Sequence, residues 1–255
     1  MALEDYKGVF IFAQQVDNEI SNIALELLGK ARDLAADLDE KTVTAVLIGS
    51  DVKGLTDKLA AYGADRVIVV DDPELKDYRT EPYAHALASV VKEYKPEILL
   101  VGATAIGRDL GPRGSARLHT GLTADCTQLE IGDFPLNPVP GQEQKHQQLL
   151  MTRPAFGGNT IATIACPEFR PQMATVRPGV MQKIAPIADA DRKSTRLNSS
   201  HRLEAEGTAG RTDRTDRPPE TVFCHRHLRC NPARRRHGRV RHDHRNQQGR
   251  ERADF

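Results

Sequence analysis

An α/β fold, a parallel sheet with helices on both faces, is what this 255-residue sequence predicts. Three observations point there. Apolar runs of strand length alternate with stretches whose apolar residues recur at helical spacing, four times between Gly8 and Leu118. The runs are almost continuously apolar, as strands buried on both faces are. After Leu118 short β segments follow one another without helices between them.

Gly8–Gln14 (GVFIFAQ) is the first strand. Ile20, Ile23, Ala24, Leu27, Leu28, Ala31 and Leu34 then share one helical face, with Asp17 and Asn18 as start signals. Thr42–Ile48 (TVTAVLI) is a β-branched second strand ending at Gly49, and Leu55, Leu59 and Ala60 mark a short helix closed by Gly63. Arg66–Val70 is a third strand, stopped by Asp71, Asp72 and Pro73. Ala84, Leu87, Ala88 and Val91 mark the helix before the fourth, Ile98–Val101. Gly102 leads into a helix starting at Thr104. Beyond it, Leu122–Ile131, Gln147–Thr152 and Asn159–Ala165 read as short β segments around a Pro/Gly/Gln-rich loop, Pro135–Gln148. They either extend the sheet or form a small antiparallel flap.

The charge is divided. Up to Arg192, 20 Lys and Arg stand against 27 Asp and Glu; from Lys193 to Phe255, 16 stand against 8. The formal net charge of +1 joins an acidic body to a basic tail, and by itself implies no partner. Cys126 and Cys166 are isolated thiols in strand-like segments, the usage of a reducing compartment. No apolar stretch has the length of a membrane span and the N-terminus lacks a signal peptide's basic region, so a cytoplasmic protein without a membrane partner is expected.

Residues 98–127, ILLVGATAIGRDLGPRGSARLHTGLTADCT, are a narrower signal than strand, turn and helix. The GRDLxPR run followed at once by TGLTADCT resembles the N-terminal domain of the electron-transfer flavoprotein alpha subunit. Met151–Met181 (MTRPAFGGNTIATIACPEFRPQMATVRPGVM) resembles the same family, and the likeness covers about three quarters of the chain. It implies an adenine-nucleotide alpha hydrolase-like domain. It also implies a heterodimer with a beta subunit, carrying electrons from acyl-CoA dehydrogenases through FAD. FAQQVDNEISNIALELLGKARDLAADL near the N-terminus resembles the bifurcating branch, in which electrons come from NADH.

Each candidate site has a plainer reading. The turn Gly102–Thr104 lies where helix amides hold phosphates, yet glycines between strand and helix serve packing equally well. Neither GxGxxG nor GxxxxGK[ST] occurs. Arg113 and Arg117 lie four apart on one helical face that Arg108 opens: a solvated face, or guanidinium forks for carboxylates on a partner. The family resemblance favours the partner and extends the surface to Thr123 and Asp125. Arg153, Gly157, Gly158 and Asn159 belong to a turn that ordinary turn chemistry explains. In the bifurcating branch the resemblance would place that turn at the edge of the beta subunit's flavin. His85, His119 and His146 have the spacing of neither a triad nor a metal site, and Asp125 with Cys126 has no base beside it. No catalytic or metal-ligating residue is read. That suits a carrier whose chemistry belongs to a flavin.

From Lys193 apolar periodicity is lost. The tail reads as a disordered basic extension. Its arginines offer a weak nucleic-acid reading, and Cys224, His225, His227 and Cys230 a weaker zinc one that matches no standard finger spacing. A stand-alone nucleotide-binding α/β domain and a basic-tailed nucleic-acid binder are therefore the rival functions. A shifted reading frame explains more. With synonymous codons left free and the frame moved by one nucleotide, GRTDRTDR (Gly210–Arg217) becomes VGQTGQTV. In the same frame HLRCNPARRRHGRV (His227–Val240) becomes ISGAIQHAAGMGE, and Gln247–Phe255 becomes NKDESAPI. These strings resemble the FAD-binding domain of the same alpha subunit, in family order. KSTRLNSS, Lys193–Ser200, looks like translated adapter DNA. The expectation is a docking domain over residues 1–192 and a frame-shifted, shortened remnant over 193–255, with FAD held by the intact family protein and not by this chain.

Overall fold

The computed structural model describes residues 5–38, 41–135, 144–155 and 160–186. Six parallel strands form the main sheet. In chain order they are β1 (Val9–Phe12), β4 (Val43–Gly49), β5 (Arg66–Asp71), β6 (Ile98–Gly102), β7 (Leu122–Cys126) and β11 (Gln172–Val176), arranged β5-β4-β1-β6-β11-β7. The first four carry helices α1 (Asn22–Ala36), α2 (Thr56–Ala61), α3 (Thr80–Tyr94) and α4 (Ala105–Leu118) after them. β1, β4 and β6 are buried at every residue, which is why their sequences show no alternation. Alternate side chains still divide between two cores. Val9, Ile11, Ala45 and Leu47 pack with Leu27 and Leu34 of α1; Phe10, Phe12, Val46 and Ile48 pack with Leu87 and Val91 of α3 and Leu110 of α4. Helices thus cover both faces, as the apolar runs predict.

The short β segments do both things the sequence leaves open. β7 joins the edge of the main sheet. β8 (Gln128–Phe134), β9 (Lys145–Pro154) and β10 (Ile161–Ile164) form a separate antiparallel sheet in the order β10-β9-β8. Leu129, Leu149 and Met151 of that sheet extend the α1 core.

Two features differ from the expected elements. Asp17 and Asn18 do not start α1. They make the two-residue turn of a hairpin, β2 (Gln15–Val16) with β3 (Glu19–Ile20), with φ of 51° and 58°. Asn and Asp favour both helix starts and left-handed turns, and here the turn prevails because a two-residue hairpin needs positive φ twice. The second feature is β11, inserted between β6 and β7 and buried throughout. Its five residues lie between Pro171 and Pro178, and the polar Gln172 and Thr175 break what would otherwise be an apolar run.

After β11 the chain returns over α1. The Glu26 carboxylate accepts from the Gly179 amide at 2.8 Å, and Lys183 Nζ donates to Asn22 Oδ1 at 2.7 Å. Gly29 makes that crossing possible, since a β-carbon there would lie 2.4 Å from the Gln182 carbonyl oxygen.

Candidate functional site

The order β5-β4-β1-β6 reverses direction between β1 and β6, and open α/β sheets bind ligands beyond the strand ends at such a point. Here Thr104 caps α4: its Oγ1 accepts from the Gly107 amide at 3.1 Å and donates to Gln14 Oε1 at 2.5 Å. Packing accounts for the glycines at this turn. A β-carbon on Gly102 would lie 2.6 Å from Ile23 Cγ1, and one on Gly107 would lie 1.8 Å from the Gly102 carbonyl oxygen. The hairpin β2–β3 covers the neighbouring strand end, where Gln15 Nε2 reaches the Ile48 carbonyl at 3.4 Å. A cleft of about 130 Å³ is left, bordered by Phe12, Gln14, Gln15, Tyr78 and Ile106.

The arginines of α4 part company. Arg113 and Arg117 both turn to Glu81 in the first turn of α3, Arg113 at 3.7 Å and Arg117 more closely. Asp109 ties the same helices by accepting from Tyr78 Oη at 2.7 Å and Thr80 Oγ1 at 2.5 Å, which holds its carboxyl below the usual range. The small residues of α4 serve this domain's own packing: Gly111 faces Thr175 and Leu122, and Gly114 faces Leu87 and Met173.

Arg108 points the other way, to Asp125. Its Nη2 is 3.5 Å from Asp125 Oδ1, and Arg177, at the end of β11, grips the same carboxylate at 2.5 Å and 3.3 Å. Hydrogen bonding from Arg177 comes first among the causes that hold the Asp125 carboxyl below its usual range; the charges of Arg177, Arg108 and Arg153 add to it. Asp125 has a φ of 62°, beside a register shift between β7 and β11, and its amide donates to Thr175 Oγ1 at 2.9 Å. Thr123 is buried in the sheet, and burial pushes the Cys126 thiol up to about 12. Arg153 is half-buried near the end of β9. Gly157, Gly158 and Asn159 lie outside the described residues, as does everything read on the tail.

The structure therefore pairs Arg108 with Asp125, whose carboxyl also feels the charge of Arg153, and turns Arg113 and Arg117 to Glu81 instead. Sequence reasoning missed Arg177. Its signal is an arginine directly after the segment QMATV, visible once that segment is read as a strand.

Residues 9–199 match the family model for the electron transfer flavoprotein domain. The chain belongs to the electron transfer flavoprotein family. The match begins at the first residue of β1 and contains every strand described above. Protein FixB of Clostridium saccharobutylicum is 53% identical over 184 residues, which are 72% of this chain and 51% of that protein. The electron transfer flavoprotein subunit alpha of Thermoanaerobacterium thermosaccharolyticum is 54% identical over 181 residues, 71% of this chain and 51% of the relative. The acryloyl-CoA reductase electron transfer subunit beta of Anaerotignum propionicum is 47% identical over 195 residues, 71% and 52% of the two chains. The chain spans about half the length of the curated relatives it matches. Among the described residues no helix is long and apolar enough to cross a membrane.

The FAD that the family resemblance implies does not fit the cleft described at the strand ends. That cleft, about 130 Å³, is well below the size of a drug-sized pocket, and a β-carbon on Gly102 would run into Ile23.

Proposed function

We propose that residues 1–192 are the docking half of an alpha-type electron transfer flavoprotein subunit. This half presents a surface to a beta subunit and has no general acid, base or nucleophile. In this reading the intact family protein holds FAD in the half that the present chain does not match, and residues 193–255 are a frame-shifted remnant of that half. The assembled protein is an electron carrier and not an enzyme with catalytic side chains of its own. It takes electrons from acyl-CoA dehydrogenases or, in a bifurcating complex, from NADH. The name of the Anaerotignum relative, an electron transfer subunit of an acyl-CoA reductase, supports the acyl-CoA side. Arg108, Arg113, Arg117, Thr123 and Asp125 form or back the partner surface, and Arg153 with Gly157, Gly158 and Asn159 borders the partner's flavin. The free thiols Cys126 and Cys166 suit a reducing cytoplasm.

One observation carries the reading: identity near 50% runs through an α/β domain whose strand-end cleft is too small for a dinucleotide, and covers only half of each relative. The chain is mixed with a beta subunit of the same family and followed by size-exclusion chromatography with flavin absorbance. A one-to-one complex whose only flavin belongs to the beta subunit is expected, weakened by Arg108→Glu. A chain that stays alone at tens of micromolar sinks the docking assignment, and stoichiometric flavin in the alpha-type chain sinks the frame-shift assignment.

A further inference from the structure

We propose that the carboxyl ends of β7 and β11 form an oxyanion site, where the guanidinium groups of Arg108 and Arg177 take the phosphate group of a soluble nucleotide and Asp125 is the resident carboxylate it competes with. Arg108 and Asp125 also belong to the partner surface proposed above, so the site is that of the unpartnered chain, and binding to that chain alone tests it without the beta subunit.

The charge count comes first. Arg108 and Arg177 both pair with Asp125, so two guanidinium groups meet one carboxylate, and the charge of Arg153 acts on it as well. Among the described residues the ion pairs bring no second acid to Arg108 or Arg177. One positive charge stays in excess at the pair, to which that of Arg153 adds, and a phosphate supplies the opposite charge.

Geometry makes the excess usable. Arg177 meets the carboxylate with two of its nitrogens, Nε and Nη2, in the planar fork that also suits phosphate. Arg108 approaches the same oxygen edge from α4 with 63% of its side chain exposed, leaving most of its donors open to solvent. The Asp125 backbone is turned to positive φ at the point where the β7–β11 register shifts, which re-aims its side chain from the sheet toward these cations. The cluster lies at the carboxyl edge of a parallel sheet, the edge from which α/β folds recognise phosphates. A phosphate rather than a lone carboxylate fits, because it has oxygens for both forks at once.

The test uses the full chain and inorganic pyrophosphate, read by amide resonances at constant ionic strength with chloride as the reference. Saturable shifts are expected at Asp125, Cys126 and Arg177. Arg108→Gln, an exposed change that spares the fold, weakens binding several-fold, and the double variant R108Q/R177Q weakens it by about tenfold or more. Asp125→Asn keeps the shape, removes the competing charge and tightens binding. Pyrophosphate shifts no larger than those of chloride overturn the proposal. So do shifts confined to residues 193–255, or affinities that neither Arg108→Gln nor Asp125→Asn changes.

Discussion

A carboxylate held by guanidinium groups ties stability to acid. The folded-state pKa of Asp125 lies below its unfolded value, so the folded state gains from the ionised form. That gain is fully present above the ordinary carboxylate range and is lost as pH falls through the depressed value. Melting temperatures of the wild type and Asp125→Asn, measured from pH 7 to pH 2, are expected to differ at neutral pH and converge at the acid end. A gap that stays constant would mean that the Arg177 contact contributes nothing. Thr44 makes the opposite case: it is fully buried and its Oγ1 has no hydrogen-bond partner. Thr44→Val keeps the shape, removes an unsatisfied hydroxyl and is expected to stabilise by about 1 kcal/mol in denaturant melts. The arginines of α4 are legible in the sequence as a group on one helix. Their destinations are not, because spacing along a helix says which residues share a face and not which element comes opposite. Glu81 and Asp125 lie 44 residues apart in sequence, yet they divide these arginines between them.

The elements show what makes a strand readable. Four strands are nearly continuous apolar runs, three of them ended by Gly or Asp, and each is legible with its helix, because burial leaves few polar residues to interrupt the run. β11 is as deeply buried and is not legible. Gln172 and Thr175 interrupt it, and each serves a local contact: Gln172 Oε1 accepts from the Leu149 amide at 2.9 Å and Thr175 Oγ1 accepts from the Asp125 amide. Met173 of β11 is fully buried in the core beneath α3 and α4, whereas Ile161 of edge strand β10 is 72% exposed. Met173→Ala is expected to cost about 2–5 kcal/mol and Ile161→Ala less than about 0.5 kcal/mol, measured as shifts in the urea midpoint. Equal costs would contradict a sheet in which β11 is interior and β10 marginal. The hairpin at Asp17–Asn18 escapes a sequence reading for a chemical reason: one pair of residue types serves two structures, and only the positive φ of both residues tells them apart.

At the scale of the whole molecule, both cores close within residues 9–176 and the return over α1 is complete by Ile184, which packs near Gly29 and Gly63. A chain ended after Arg192 is therefore expected to keep the unfolding free energy of the full chain to within about 0.5 kcal/mol, measured by chemical denaturation. A chain ended after Val176 loses the strap that Glu26 and Gly29 receive and is expected to melt several degrees lower. If shortening to Arg192 alone lowers the midpoint, the boundary is misplaced.

The position of β11 also sets an order of events at the ribosome. β7 leaves the exit tunnel about 50 residues before β11, but it pairs with the main sheet only through β11. Until Val176 has emerged, β6 keeps one edge bare and β7 has no place in the sheet, so the domain cannot complete itself in step with translation. Closing contacts between β6 and β11 span 74 residues of sequence, and such late, distant pairing makes for slow folding. For a nascent chain this is the interval in which a holding chaperone has most to protect.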